Sequence, residues 1–303
     1  MSEQRLTPAT AALLTIPPLL WASNAIVGRL VVGLIPPVML NFLRWTLVFA
    51  LLLPLAWRVF RPGSGLWRQR RHLALLGLLS VGSYNALLYL ALQTSTPINV
   101  TLVGSSMPVW MLAIGLLFGA RVMPQQLLGA ALSVAGVLVV LSRGDAHQLL
   151  QLRLVTGDLL MVLATVVWSL YSWLLTRPGV PEPLRADWAS LLMAQVVFGT
   201  LWAGLFAGGE ALLLDPAPIA WSWPLAAALL YVAVGPSLLA YQCWGAGVRR
   251  AGPSTAAFFA NLMPLFAVLM SGLVLHESPQ PYHALAFGLT VGGILVSSRR
   301  RGA

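Results

Sequence analysis

A single arginine inside an apolar segment is the residue of this chain best placed to do chemistry. Arg44 lies about eight residues into the predicted segment 36–57, which is roughly 12 Å deep at 1.5 Å per residue. A charged group in a bilayer is costly and marks a functional position by default. Arg44 is therefore a candidate gate, or an anchor for a carboxylate of the substrate. The alternative is that it snorkels outward or binds carbonyl groups at a helix C-terminus.

Polar and aromatic residues near the middle of the apolar segments are candidates for the lining of a substrate cavity. Buried amides and hydroxyls need partners in a bilayer, so each marks a cavity wall or a hydrogen bond between helices. Tryptophan has a further alternative, because its ring also anchors helices at the membrane interface. The candidates are Trp21, Asn24, Tyr84, Asn85, Ser105, Trp110, Trp168, Tyr171, Gln195, Tyr241 and Asn261. We expect about half of them to face a cavity and the others to join helices.

Prolines inside three apolar segments predict breaks in the helices. A proline in mid-helix leaves the carbonyl four residues earlier without its donor. In lipid that carbonyl must be satisfied by protein or by water in a cavity. The predicted breaks, at 104–108, 235–236 and 260–264, contain Pro108, Pro236 and Pro264. They are hinges beside a cavity or ordinary kinks of transmembrane helices.

Charged residues other than Arg44 lie near segment ends. Asp158 and Asp187 open helices, where an acidic side chain complements the N-terminus. Glu277 ends a helix and is a boundary residue or a site of proton coupling. Because no carboxylate is evident at the midplane, facilitated diffusion or substrate exchange is the simpler mechanism. No pair of histidines has the spacing of metal ligands, so we predict no metal site and no cofactor.

The composition indicates a membrane protein. The 303 residues are 58% hydrophobic and 9% charged, with a mean hydropathy of +0.83, and several apolar runs approach the roughly 20 residues that a bilayer requires. All 18 basic residues are arginine, which excludes the lysine of an ATP-binding P-loop or of a Schiff base. Apart from Arg44, they lie at segment ends or in loops, which argues against nucleic acid as a partner. The predicted partners are the lipid bilayer and a small-molecule substrate.

The hydropathy pattern predicts an all-α membrane protein with ten transmembrane helices. The predicted segments are 9–33, 36–57, 72–93, 96–118, 124–142, 157–175, 186–206, 223–245, 253–275 and 281–298. If the N-terminus is cytoplasmic, fourteen arginines lie on the cytoplasmic side and three on the other. This bias satisfies the positive-inside rule. We therefore predict that both termini are cytoplasmic.

The two halves of the chain carry matching residues. Pro97 and Pro253 open corresponding segments, and Pro108 corresponds to Pro264 at the same spacing of 156 residues. An odd number of helices per half places the second half upside down relative to the first. Inverted repeats of this kind surround a midplane site in many secondary transporters. The predicted five-helix repeats are residues 1–145 and 156–300, with no soluble domain.

Motifs in both halves, taken in order, resemble the EamA family of the drug/metabolite transporter superfamily over nearly the whole chain. They are Trp21-Ala-Ser-Asn24 with Arg29, Pro36-Pro37 and Arg44; Pro97 to Pro108; Gly157-Asp158 with Trp168-Ser169; Pro253 to Pro264; and Leu275-His-Glu277. One departure is Arg121, which stands in the first repeat where the second has Glu277. The resemblance implies ten helices, cytoplasmic termini and transport, commonly export, of small metabolites.

The 12 tryptophans and the pairs Tyr84-Asn85 and Tyr241-Gln242 are similar to the branch of aromatic amino acid and drug exporters (YddG-type). We therefore expect an exporter of aromatic or neutral amino acids in the cell inner membrane, working by alternating access. A multidrug exporter of lipophilic cations is the first alternative. A carboxylate at the midplane would favour it, and none is evident in the sequence. A polytopic membrane enzyme needs a catalytic cluster, and a channel needs pore-lining rings of charge or a filter loop. The sequence shows none of these, so both classes are disfavoured. The oligomeric state is left open.

Overall fold

The computed structural model describes residues 6–95, 97–104, 106–142, 144–145, 147, 155–177, 179–180, 182–275 and 281–298. All secondary structure in these ranges is helical. The helices are α1 (Pro8–Leu30), α2 (Pro37–Ala56), α3 (Arg70–Thr94), α4 (Pro97–Gly104), α5 (Met107–Leu117), α6 (Pro124–Leu141), α7 (Thr156–Leu175), α8 (Glu182–Ala186), α9 (Trp188–Leu214), α10 (Trp223–Ala251), α11 (Pro253–Ala260), α12 (Met263–Leu275) and α13 (Pro281–Ser298).

The outer surface of the bundle is apolar. Leu117, Leu212 and Trp223 are 86%, 87% and 90% exposed, whereas large contiguous apolar surfaces are rare on soluble monomers. Within the described ranges, seven helical stretches are long and apolar enough to cross a membrane. The chain is therefore a membrane protein.

The end predicted for segment 186–206 is wrong, because α9 continues to Leu214. The carboxylate of Glu210 accepts hydrogen bonds from the backbone N–H groups of Val38 (3.0 Å) and Met39 (2.8 Å). These groups lie at the N-terminus of α2, where a helix carries unsatisfied donors and partial positive charge. This tertiary contact extends α9 through two glycines that favour a helix end.

Two of the predicted segments are divided into two helices each. Segment 96–118 forms α4 and α5, and segment 253–275 forms α11 and α12. Pro108 and Pro264 are each the second residue of the later helix. At that position the missing N–H has no carbonyl to leave unsatisfied. These prolines therefore begin a new helix after an interruption.

At the third predicted break the helix widens instead of ending. α10 contains a π-helical segment, Ala233–Leu239, around Pro236. Because proline has no N–H, the carbonyl of Val232 loses its usual donor, and the Ser237 hydroxyl donates to it at 2.7 Å. α3 contains an equivalent π-helical segment, Leu78–Tyr84, which has no proline and was not predicted from the sequence.

Helices of the two halves pack against each other at the interruptions and along α6 and α13. α4 contacts α12, α11 contacts α5, and α6 packs along α13. A Cβ atom on Gly129 would lie 2.7 Å from the carbonyl oxygen of Gly293, and one on Gly293 would lie 2.6 Å from that of Gly129. Gly129 also contacts Ser297, and Gly293 contacts Ser133. We call these four residues the small-residue seam; their order shows that α6 and α13 are antiparallel.

Candidate functional site

Arg44 is completely buried and joins α2 to three other helices. Its exposed fraction is 0%, so the guanidinium does not reach the surface. Nη1 donates to Asn85 Oδ1 (2.9 Å), the Tyr89 hydroxyl (2.8 Å) and Asn24 Oδ1 (3.2 Å), and Nε donates to Ser237 Oγ (2.5 Å). We call these five residues the Arg44 network. Every one of these acceptors is neutral.

The partners of Arg44 are oriented by further hydrogen bonds. Ser237 gives its one proton to the carbonyl of Val232, which leaves an oxygen lone pair facing Arg44. The hydroxyl of Tyr89 donates to Asn24 Oδ1 at 2.9 Å, and Asn24 Nδ2 donates to Asn85 Oδ1 at 3.5 Å. The proline of α10 thus helps to position the network, because it removes the usual α-helical donor from the carbonyl that Ser237 binds.

Two donors of this network lack a partner among the described residues. They are Nη2 of Arg44 and Nδ2 of Asn85. A buried donor without an acceptor is costly, and a buried charge without a counter-ion is more so. The amide orientation of Asn85 follows from its neighbour, because a guanidinium can only donate and must face the amide oxygen. The network therefore presents two free N–H donors inside the bundle.

A cluster of aromatic rings fills the centre of the bundle beside the Arg44 network. Trp168 is at its middle, with ring centroids 4.8 Å from Tyr84, 4.9 Å from Tyr171, 5.1 Å from Trp21 and 5.1 Å from Tyr241. Two further rings join the cluster: Trp244, 5.9 Å from Trp168, and Trp45, 5.0 Å from Tyr241. We call these seven residues the aromatic cluster; all are buried. Such edge-to-face and tilted arrangements are the favourable ones for aromatic rings.

Two rings of the cluster, and the amide of Asn41, bind backbone carbonyls of the π-helical segments. Trp21 Nε1 donates to the carbonyl of Pro236 at 3.3 Å, and the Tyr241 hydroxyl donates to that of Ser80 at 2.7 Å. Asn41 Nδ2 donates to the carbonyl of Val81 at 2.9 Å. The irregular turns of α3 and α10 thus hold the cluster in position. Irregular backbone in a membrane is tolerated where protein or cavity water satisfies it.

A narrow pocket reaches the aromatic cluster from one end of the bundle. It is lined by Trp188 and Arg249 near the helix ends, and by Gln195, Tyr171 and Tyr241 further in. Its volume of about 20 Å³ holds about one water molecule. The aromatic cluster therefore forms the inner end of this pocket.

The structure brings most of the predicted site residues together. The Arg44 network and the aromatic cluster contain seven of the eleven lining candidates as well as Arg44, and Gln195 lines the pocket. Trp110 lies apart, half-buried, with Nε1 donating to Ser106 Oγ of its own helix at 3.1 Å. Asn261 is fully buried where α11 ends, and neither atom of its amide has a partner among the described residues. Ser105 and Glu277 lie outside the described residues.

Sequence reasoning missed four residues of this site. Tyr89 lies one helical turn after Asn85, and Ser237 directly follows Pro236, so spacing alone could have indicated both. Trp45 and Trp244 offered no such signal, because a buried tryptophan cannot be told from an interfacial one in an apolar segment.

Acidic residues at helix ends have structural roles. Asp158 Oδ2 accepts from the Val155 N–H at 3.0 Å and Asp158 Oδ1 accepts from the Ser95 hydroxyl at 2.5 Å. Asp187 caps α9: burial alone would raise its pKa, but the hydroxyl and N–H of Ser190 and the N–H of Ala189 lower it below the usual value. In the described ranges no three His, Cys, Asp or Glu side chains are grouped as metal ligands.

Comparison with known proteins identifies the fold and the family. A transporter of Archaeoglobus fulgidus, named as uncharacterized, is 27% identical over 96% of this chain and 98% of its own. The inner membrane transporter YedA of Escherichia coli K12, also named as uncharacterized, is 25% identical over 98% and 92%. The aromatic amino acid exporter YddG of Ancylobacter novellus is 24% identical over 92% and 93%.

One crystal structure of a protein 21% identical to this chain superimposes with a TM-score of 0.73 and covers 97% of each chain, which shows a shared fold. The profile of the EamA-like transporter family matches residues 9–142 and 155–299. This chain therefore belongs to the EamA-like transporter family.

Proposed function

We propose that the chain exports aromatic or neutral amino acids by alternating access between two inverted halves. The observation that carries the proposal is the composition of the aromatic cluster. α1 and α7, the first helices of the two halves, contribute Trp21 and Trp168, whose rings touch at 5.1 Å. α3 and α10, the third helices, contribute Tyr84 and Tyr241, which both contact Trp168. Equivalent side chains thus meet where a midplane site is expected.

The proposed topology is ten crossings in the inner membrane, with both termini cytoplasmic and repeats at 1–145 and 156–300. The antiparallel contact of α6 with α13, and the exchange of contacts between the two broken helices, support the inversion. The arginine bias supports the orientation. With that orientation, the pocket beside Arg249 opens to the cytoplasm.

In this mechanism the interruptions before Pro108 and Pro264, and the widened turn at Pro236, are the hinges. A substrate enters from the cytoplasmic pocket, and its apolar group replaces contacts within the aromatic cluster. Rotation of one half against the other then opens the opposite side. Since the central side chains described here are neutral apart from Arg44, the proposed transport is exchange or facilitated diffusion.

The relative from Ancylobacter novellus, which is named as an aromatic amino acid exporter, supports this substrate class. The alternative, a multidrug exporter of lipophilic cations, is disfavoured by Arg44, because a like charge in a low-dielectric centre repels a cation. A polytopic enzyme is disfavoured because the family and the relatives compared above are transporters.

Counterflow in proteoliposomes tests the proposal. Vesicles loaded with unlabelled phenylalanine are expected to accumulate external labelled phenylalanine, and Trp168→Ala is expected to reduce the initial rate at least tenfold. Trp223→Ala is the matched control, because Trp223 is 90% exposed on the outer surface. Absence of counterflow with all neutral and aromatic amino acids would refute the substrate class.

The uncoupled mechanism is tested separately. Collapse of the pH gradient should leave the counterflow rate unchanged. Complete loss of uphill export after the collapse would show proton coupling instead.

A further inference from the structure

We propose that Arg44 and Asn85 form a carboxylate-binding subsite, in which the substrate supplies the counter-ion that Arg44 lacks among the described residues. This inference rests on the proposed transport function and specifies which group of the substrate is recognised. It predicts that a carboxylate is required, whereas an ammonium group is not.

The charge of Arg44 carries the first step. The guanidinium is fully buried and its described hydrogen-bond partners, Asn24, Asn85, Tyr89 and Ser237, are all neutral. Buried charges in proteins are normally paired. This network satisfies three donors of the arginine but supplies no anion, which suits an anion that binds reversibly.

The free donors carry the second step. Nη2 of Arg44 and Nδ2 of Asn85 have no partner among the described residues, although both atoms are buried. They belong to side chains that bind each other directly, through Nη1 and Oδ1 at 2.9 Å. Donors on two side chains that bind each other suit the two oxygens of a carboxylate, and hydrogen bonds to an ionised acceptor are the strong ones.

The neighbourhood of these donors carries the third step. Asn85 directly follows Tyr84, whose ring lies 4.8 Å from that of Trp168, and Asn24 lies one turn after Trp21 on α1. A molecule with its carboxylate on Arg44 therefore has its remaining part beside the aromatic cluster. The ligand class is an organic acid with one carboxylate and an aromatic or apolar group.

Three matched probes test this assignment on the purified full chain: phenylalanine, 3-phenylpropanoate, which lacks the ammonium group, and phenethylamine, which lacks the carboxylate. The first readout is competition with labelled phenylalanine in counterflow, and the second is the rise in Tm that each probe gives the detergent-solubilised protein. We expect 3-phenylpropanoate to act within about threefold of phenylalanine, and phenethylamine at least tenfold more weakly in both.

Two variants link the preference to Arg44. Arg44→Gln should remove the difference between 3-phenylpropanoate and phenethylamine. Asn85→Asp should place a counter-ion beside Arg44, raise the Tm of the free protein and abolish the response to carboxylates. Arg29→Gln is the control, since Arg29 binds the carbonyl of Leu92 outside this network, and it should keep the preference. Asn85→Asp keeps the test decisive if Arg44→Gln does not fold.

The outcomes separate this inference from the transport proposal. If no probe is transported but 3-phenylpropanoate still raises the Tm and Asn85→Asp removes that rise, the subsite stands and the amino acid exporter fails. If phenethylamine matches phenylalanine, or if Asn85→Asp keeps the full carboxylate response, the subsite is refuted. A Tm rise of equal size with chloride at the same concentration would also overturn it, in favour of a site for inorganic anions.

Discussion

Replacing Ser237 by alanine should destabilise the protein more than its single hydroxyl suggests. Ser237 Oγ has two partners: it donates to the carbonyl of Val232 at 2.7 Å and accepts from Nε of Arg44 at 2.5 Å. The Val232 carbonyl lacks its usual α-helical donor, because the residue four positions later is Pro236, and in the π-helical turn the N–H five positions later, that of Ser237, takes its place. Ser237→Ala therefore leaves the charged Nε–H of Arg44 buried without a partner and removes one donor from the Val232 carbonyl.

The cost follows from the number and kind of these groups. A buried polar group left without a partner costs about 1–3 kcal/mol, and more if it is charged. Single hydrogen bonds between membrane helices average only about 0.6 kcal/mol, with a maximum near 1.7. Because both Ser237 partners remain buried, we expect a loss of about 2–4 kcal/mol in the free energy of unfolding.

Ser169→Ala is the matched control. Ser169 is also fully buried and its hydroxyl binds the Thr165 carbonyl four residues earlier at 2.8 Å, but no proline removes the helical donor there. We expect its loss to stay below about 1 kcal/mol. Unfolding by SDS titration in mixed micelles, followed by tryptophan fluorescence, measures both variants.

A second substitution divides the cost between the two partners. Pro236→Ala restores an N–H in the widened turn, so Ser237→Ala should cost less in that background. Equal stability of Ser237→Ala and Ser169→Ala would refute the role given to Ser237 at the Arg44 network.

Three further predictions concern packing and helix ends. Gly293→Ala should lower the free energy of unfolding by about 1–3 kcal/mol, because its Cβ would lie 2.6 Å from the Gly129 carbonyl oxygen. Gly292→Ala is the control and should be neutral or stabilising, because a Cβ there would have nothing within 4 Å. The difference in Tm between the two variants checks this prediction. Glu210→Ala should cost about 1–2 kcal/mol through loss of the α2 cap and speed proteolysis of the loop before α2, while unchanged digestion would contradict it. The pKa of Asp187 is lowered in the folded protein, so its cap stabilises the fold above about pH 4 and this stabilisation is lost as the pH falls through the lowered pKa. Asp187→Asn should therefore make the decrease of Tm below about pH 4 smaller.

The sequence predicted the helices and their interruptions because each has a local cause. Apolar length locates the helices, and Pro108 and Pro264 fix two interruptions through a missing N–H. The widened turn in α3 has no proline. It depends on Asn41 and Tyr241, which bind its carbonyls from other helices. A tertiary cause of this kind leaves no mark within the segment itself.

The candidate site was predicted in its residue types more fully than in its arrangement. Arg44 stood out because a charge inside an apolar run is rare. That it faces inward depends on Ser237, which lies 193 residues away along the chain. Trp110 shares the depth and chemistry of the other candidates but sits apart from them, since depth along a helix does not determine the face that a side chain occupies.

The small-residue seam restricts how the molecule can move. Gly129 and Gly293 bring the backbones of α6 and α13 into direct contact, so the two helices cannot separate there without losing that contact entirely. In the proposed alternating access, relative motion of the two halves would therefore pivot about this line. The displacement of a residue would then grow with its distance from the seam. Larger side chains are therefore best tolerated far from the seam.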